Sequence, residues 1–262
     1  MPTQIRSSVV IGEKPDPLVV QNQIADMLSA NGFNEMMGLS LIESRYMKEV
    51  LPMDLEKLVY VNNTSNVSFD IMRPTMIFNG LEAIVRNQNR QNADLKLYEF
   101  GKTYLKGEEE NKFKETEHLV IFVTGKTTSE SWRSKGGESD FYSLKSYVEN
   151  VLGKLGLAKY QTSEAENDAL SYGLKYHRGQ QVLVEFGKVS GKISKKMGIK
   201  NDVFYADIQW GAILKAIKKH KIRFEPLNKF PTMRRDLALV VDSKIKFSEI
   251  KGIAHKTEKK LL

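Results

Sequence analysis

Three features of the chain predict a mixed α+β fold with a mainly antiparallel sheet flanked by helices. The strand-like runs LKLYEFGKTYL and HLVIFVTG follow one another across a charged connection, with no helix between them. Helical periodicity is confined to a few well-bounded segments. Strands and helices do not alternate strictly, which disfavours a doubly wound parallel sheet.

The elements follow in order. DPLVVQNQIADMLSANGF reads as a capped helix. Asp16 can accept orphan N–H bonds at its start, Pro17 suits the first turn, and Gly32 can take the left-handed stop. Val20, Ile24, Met27 and Leu28 recur on one face. FNEMMGLSLIE reads as a strand interrupted by Gly38, and the polar knot Asn62–Asn66 as a loop. In FDIMRPTMIFNGLEAIVRNQNR, Pro74 is placed to open a helix with Ile77, Leu81 and Ile84 facing inward. Arg86 and Arg90 sit four apart on that predicted helix. The run KGEEENKFKETE is expected to be the solvated connection between two neighbouring strands.

Asp140 opens a helix in which Phe141, Leu144, Val148, Val151, Leu152 and Leu155 repeat at steps of three and four, with Gly156 at its end. QQVLVEFGKVSGKIS reads as a strand, a turn and a short apolar element, with GKVSGK as a hairpin turn. DVFYADIQWGAILKAIKK is a strand leading into a helix. FEPLNKFPTM has linker composition, RDLALVVD reads as a strand, and KFSEIKGIAHKTEKKLL as a helix. A lone strand and helix cannot bury both faces of the strand. The tail is expected either to pack on the main body or to begin a domain that this chain does not complete.

With 262 residues, one or two domains and a sizeable core are accommodated. No apolar run reaches the roughly 18 residues of a membrane span, and MPTQIRSSVV lacks a signal-peptide pattern. The chain has no cysteine, which excludes disulfides, thiolate metal sites and cysteine nucleophiles. A cytoplasmic protein without membrane partners is expected. The formal charge of +8 is uneven: Lys and Arg outnumber Asp and Glu by 14 to 5 in residues 211–262 and stand at 26 to 27 before them. A basic C-terminal end fits either a polyanion such as tRNA or a solvated lysine-rich surface.

Catalytic motifs are missing from the sequence. His118, His177, His220 and His255 are scattered without metal-site spacing. There is no G-x-S-x-G elbow and no Walker loop. Glu108, Glu109 and Glu110 run consecutively, so they cannot converge from one strand face. No nucleophile, base and orienting group share a plausible context.

The order of the motifs resembles the class II aminoacyl-tRNA synthetase core, and more narrowly the catalytic-like module of the bacterial phenylalanyl-tRNA synthetase beta subunit. Six segments carry the resemblance. They are Gly32-Phe33-Asn34-Glu35, Asn63 with Met72-Arg73, Asn87 with Arg90, Tyr98-Glu99-Phe100-Gly101, the DFYSLKSYVE helix, and FPTMRRDLALVVD with Phe230, Pro231, Arg235 and Asp236. The last is similar to the entry of a ferredoxin-like anticodon-binding domain. The resemblance implies a class II-like sheet domain over residues 1–226 and an incomplete ferredoxin-like β-α unit over 227–262, so the chain looks like a fragment. In catalytic members the strand after F-E-x-G carries an arginine for the ATP α-phosphate. Here that stretch reads Tyr104-Leu105-Lys106-Gly107, with leucine in the arginine's place, and no arginine follows Gly211 in the late strand–helix.

An adenylation site needs cations where phosphate charge develops. The resemblance therefore implies a noncatalytic structural module with no catalytic, cofactor or metal residue of its own; ATP and Mg would belong to the complete synthetase. It also implies the alpha subunit as partner, an (αβ)2 assembly, and charging of tRNA(Phe). Val20, Ile24, Met27, Phe33 and Met36 are the subunit-interface candidates, and Arg234, Arg235, Lys244 and Lys246 the tRNA-proximal ones. Arg235 with Asp236 reads equally as an ordinary surface ion pair. Two alternatives stay open: a free-standing tRNA- or RNA-binding module, and a class II-type ATP-dependent ligase whose phosphate groups moved to Arg73, Arg86 and Arg90.

Overall fold

In the computed structural model, residues 15–62, 66, 68–108, 112–128, 130–133, 135–218, 229, 231 and 233–258 are described. The first helix, α1 (Pro17–Ala30), starts where its sequence dictates: the Asp16 carboxylate accepts the Leu18 N–H. Gly32 (φ 81°) turns the chain out of the helix, and the Phe33 N–H closes the end on the Leu28 carbonyl. The segment after it divides into β1 (Asn34–Glu35) and β2 (Leu41–Ile42), which join different sheets. Gly38 lies between them against Asn79, where a Cβ would come within 2.8 Å of that side chain. β2 pairs with β3 (Ile71–Met72), and a π-helical turn (Tyr46–Val50) lies between those two strands in sequence.

Helix α2 (Ile77–Gln88) begins three residues after Pro74 and buries Ile77, Leu81 and Ile84. It ends before Arg90, so Arg86 and Arg90 do not share a helical face as their spacing predicts. β4 (Leu95–Lys106) and β5 (Phe113–Thr124) form the long expected antiparallel pair. The pairing reaches Lys106↔Phe113, so half of the charged run belongs to the ladder and the connection is short. Lys102 and Glu115 form an ion pair at 3.0 Å across it. A small ladder of β6 (Lys126–Thr128) and β7 (Gly137–Glu138) leads to α3 (Phe141–Lys154). There Asp140 accepts the Ser143 amide at 2.7 Å and the Ser143 hydroxyl at 2.6 Å.

β8 (Gln161–Glu164), β9 (Leu170–Arg178) and β10 (Gln181–Val189) follow as a meander. GKVSGK is not a hairpin turn: Gly187 is inside β10, and Gly191 starts α4 (Gly191–Met197). α4 connects β10 to its antiparallel neighbour β11 (Val203–Gln209). β11 runs into α5 (Trp210–Ile217).

One sheet organises these elements, in the order β1-β4-β5-β11-β10-β9-β8; β1 is parallel to β4 and all other pairs are antiparallel. Each face carries its own core. On one face Val20, Ile24, Leu144, Val148 and Ile213 of α1, α3 and α5 pack on Tyr98, Ile121 and Ala206. On the other, Phe78, Leu81 and Ile193 of α2 and α4 pack on Leu97, Phe122 and Tyr205. Side chains alternate between these faces along every strand.

The chain divides into two units, Met1–Ile222 and Arg223–Leu262. In the second, α6 (Phe247–Thr257) forms as its sequence predicts, with no buried residue. RDLALVVD is not a strand: residues 233–242 have no regular structure. A strand needs a neighbour for its backbone hydrogen bonds, and none is present among the described residues of this unit. Asn63, Phe230 and His220, the centre of the polar knot, and most of the FEPLNKFPTM linker lie outside the described residues.

Candidate functional site

The face of β4 that the resemblance marks for phosphate chemistry presents Glu99, Gly101 and Thr103 in alternation. Arg73, which leaves β3, lies across it. Its Nη1 donates to Glu99 Oε1 at 2.8 Å and to Asn79 Oδ1 at 3.3 Å, and its Nε donates to the Lys102 carbonyl at 2.9 Å. Gly101 makes the room, because a Cβ there would collide with the guanidinium and with Met76. Glu99 Oε1 also accepts the Gly38 amide at 3.2 Å, and Asn79 Nδ2 donates to the Leu39 carbonyl. Arg73 and Glu99 are 3% exposed each, so the ion pair is closed inside the fold. Leu105 is part of the ladder opposite Lys114 and supplies no charge.

Further along the same face, three strands meet in a polar row. His118 of β5 sits between Thr103 of β4 and Asp207 of β11, with Nε2 2.9 Å from Thr103 Oγ1 and Nδ1 2.6 Å from Asp207 Oδ1. With Nδ1–H donating to the carboxylate, Nε2 accepts the threonine hydroxyl. The order hydroxyl, imidazole, carboxylate has the connectivity of a proton relay. Thr103 and His118 are buried at 6% each, so the row acts as a tie across three strands and not as a nucleophile open to substrate. Sequence spacing could not reveal it, since Asp207 is 89 residues from His118.

The interface candidates fall on the opposite side of their elements from solvent. Val20, Ile24 and Phe33 are buried in the chain's own core, and Met27 and Met36 pack partly against the two cores. What α1 and the following segment expose instead is Leu18, Val19, Met37 and Leu39. Two hollows adjoin them: one of about 350 Å³ lined by Leu18, Phe100, Trp210 and Leu214, and one of about 280 Å³ lined by Met36, Met37, Leu39 and Phe69. Helical periodicity identifies the core face of α1 and says nothing of its outer one.

Of the C-terminal candidates, Arg234 and Arg235 lie in the irregular stretch, Lys244 in the turn closed on Asp242, and Lys246 at the start of α6. All four are exposed. Asp236 pairs with Arg234 at 3.5 Å and not with Arg235. Arg73, Arg86 and Arg90 are not brought together: Arg73 is buried on the sheet, Arg86 lines a groove on the outer side of α2, and Arg90 lies beyond that helix. No group of three or more His, Asp or Glu that could hold a metal occurs among the described residues, and no helix there is long and apolar enough to cross a membrane.

Residues 2–210 match the family described as the phenylalanyl tRNA synthetase beta chain CLM domain. The chain belongs to this family. It is 38% identical over its whole length to the phenylalanine--tRNA ligase beta subunit of Bacteroides thetaiotaomicron, and 37% to that of Bacteroides fragilis. It is 31% identical over 92% of its length to the beta subunit of Porphyromonas gingivalis. The chain spans about a third of the length of the curated relatives it matches. Among solved structures, the pyrrolysyl-tRNA synthetase of Desulfitobacterium hafniense superposes with a TM-score of 0.61 at 14% identity, covering 77% of this chain and 69% of that one. The seven-stranded sheet flanked by helices is thus a synthetase-type fold, held here by a beta-subunit sequence.

Proposed function

We propose that this chain is a noncatalytic structural module of a phenylalanine–tRNA ligase beta subunit, which supports assembly with the catalytic alpha subunit and binding of tRNA(Phe). The observation that carries the reading is the state of Arg73. Among the described residues Arg73 is the arginine on the β4 face, and it is held by Glu99, Asn79 and the Lys102 carbonyl, while Leu105 stands where a phosphate ligand is needed. A triphosphate placed on such a floor would find no guanidinium to offset its charge. ATP and Mg are then requirements of the complete (αβ)2 synthetase, met outside these residues.

In this reading residues 1–226 form the catalytic-like domain, and residues 227–262 begin a ferredoxin-like anticodon-binding domain. The irregular stretch 233–242, rich in apolar residues and without a partner strand among the described residues, supports the latter. Leu18, Val19, Met37 and Leu39, with the hollows beside them, are the surface offered to the alpha subunit, while Val20, Ile24, Met27, Phe33 and Met36 hold α1 and its exit in place behind it. Arg234, Arg235, Lys244 and Lys246 would approach tRNA. The ligase alternative loses its support because Arg73, Arg86 and Arg90 do not converge.

Co-expression with a phenylalanyl-tRNA synthetase alpha subunit, followed by size-exclusion chromatography, tests the assembly role. Co-migration is expected, and is expected to weaken for Leu18→Asp/Met37→Asp. Separate elution of the unaltered chain would remove the role. ATP–pyrophosphate exchange by the isolated chain is expected at background level; turnover above it would restore the ligase reading.

A further inference from the structure

Before residue 211 the formal charges nearly cancel, yet the structure does not distribute them evenly. The π-helical turn, the C-terminal half of α2, and α4 border a groove of about 700 Å³ lined by Arg45, Glu49, Glu82, Arg86 and Lys196, with Tyr46, Val85 and Met197 as its apolar floor. Helix α4 and its exit add Lys192, Lys195 and Lys200, all exposed, and contain no acidic residue. Lys192 and Lys196 are one helical turn apart and share a face. Gln88 ties α2 to this exit, its amide donating to the Gly198 carbonyl and accepting the Lys200 amide. Lys200 is thereby held beside the end of α2, which Arg90 follows. Lys48 is exposed on the π-helical turn itself.

These cations are largely uncommitted. Arg45 pairs with Glu43 at 3.3 Å, and Lys196 donates to the Glu49 carbonyl. Lys48, Arg86, Arg90, Lys192, Lys195 and Lys200 have no side-chain hydrogen-bond or ion-pair partner among the described residues. The carboxylates nearby are fewer and partly engaged: Glu82 accepts the Tyr46 hydroxyl at 2.6 Å, Glu43 is taken by Arg45, and Glu49 lines the groove exposed. Tyr46 is itself buried, stacked on Phe78, so no exposed ring in the groove offers itself to a base.

We propose that this face binds the phosphate backbone of RNA without reading its sequence. Arg86 in the groove and Lys48, Arg90, Lys192, Lys195 and Lys200 around it are unpaired among the described residues and outnumber the lining carboxylates Glu49 and Glu82, which suits a repeating anion, and the lack of a stacking platform argues against base-specific recognition. The proposal deepens the tRNA reading above by adding a surface on the sheet domain, separate from Arg234, Arg235, Lys244 and Lys246, and rests on that reading for the choice of RNA.

The test is fluorescence anisotropy of a labelled tRNA transcript titrated with the full chain at several salt concentrations. Arg86→Glu/Lys196→Glu and, independently, Lys195→Glu/Lys200→Glu are compared with Arg235→Glu/Lys244→Glu. All six positions are exposed, and far-UV circular dichroism checks the fold. Each groove variant is expected to weaken binding about tenfold and to lower the slope of log K against log salt by about 2. Retention of wild-type affinity and slope by both groove variants would overturn the proposal. Competition by poly-aspartate as effective as that by the transcript at equal charge would overturn it as well. Co-migration with the alpha subunit is a separate readout, so failure here leaves the assembly role standing, and the reverse.

Discussion

The burial of Arg73 makes a quantitative claim. Arg73→Met removes the cation and leaves the Glu99 carboxylate buried, with Oε2 already lacking a partner. Removing one member of a buried pair costs about 3–5 kcal/mol, because the other charge stays desolvated and uncompensated. For a unit of this size, 1 kcal/mol corresponds to roughly 2–4 °C in Tm, so the expected fall is about 6–20 °C. Glu99→Gln keeps an acceptor for the Gly38 amide while removing the charge. In the double variant Arg73→Met/Glu99→Gln no ion is stranded, and the loss should be smaller than the two single losses combined by about 2 kcal/mol. Urea unfolding of the four proteins, followed by tryptophan fluorescence and circular dichroism, measures the cycle. Single losses below about 1 kcal/mol that add within about 0.5 kcal/mol would refute the reasoning, for Arg73 would then be free to bind something else.

Three further outcomes are expected. The hydroxyl and amide of Ser143 hold the Asp140 carboxyl below its usual range. Its stabilisation is therefore present above the unfolded value of about 4 and is lost as pH falls through the lower folded value. Asp140→Ala should cost about 0.5–2 kcal/mol at pH 7, and the gap between the two proteins should close in acid unfolding series. His118→Leu removes both partners' hydrogen bonds at once and leaves Thr103 and Asp207 facing an alkyl group; a loss of about 1–3 kcal/mol is expected in urea unfolding, and thermal midpoints equal to wild type would count against the three-strand tie. Burial pushes the Tyr46, Tyr176 and Tyr205 hydroxyls up, aided by Glu82, Glu149 and Asp207 respectively. The tyrosine contribution to stability is then flat below about pH 10 and falls above it, by up to about 1.4 kcal/mol per pH unit for each tyrosine that ionises only when unfolded. Tyr176→Phe should shallow that alkaline slope.

The sequence by itself determined the local elements whose signals are local. The Asp16 and Asp140 caps, the left-handed Gly32, and the apolar steps of α1 and α3 are all read from neighbours within one or two turns, and they stand where those signals place them. So does the β4–β5 pair, because a short connection joins two strand-rich runs that adjoin in sequence, the second ending in the unbroken apolar stretch Leu119–Val123. Weaker patterns were not legible: β8 and β9 carry polar and exposed side chains on a flank of the sheet, and GKVSGK gives the same glycines to a helix start as to a turn. RDLALVVD has every strand propensity and no strand, since pairing depends on a neighbour and not on composition.

What only the tertiary structure decided is which charges are spent and which are free. Met72-Arg73 and Tyr98-Glu99-Phe100-Gly101 are separate motifs in the chain, and three-dimensional contact makes them one buried lock. The same contact turns Val20 and Ile24 inward and gathers the lysines of α4 beside the arginines around α2. Coulomb interaction and desolvation depend on distance and burial, and neither quantity is written along a sequence.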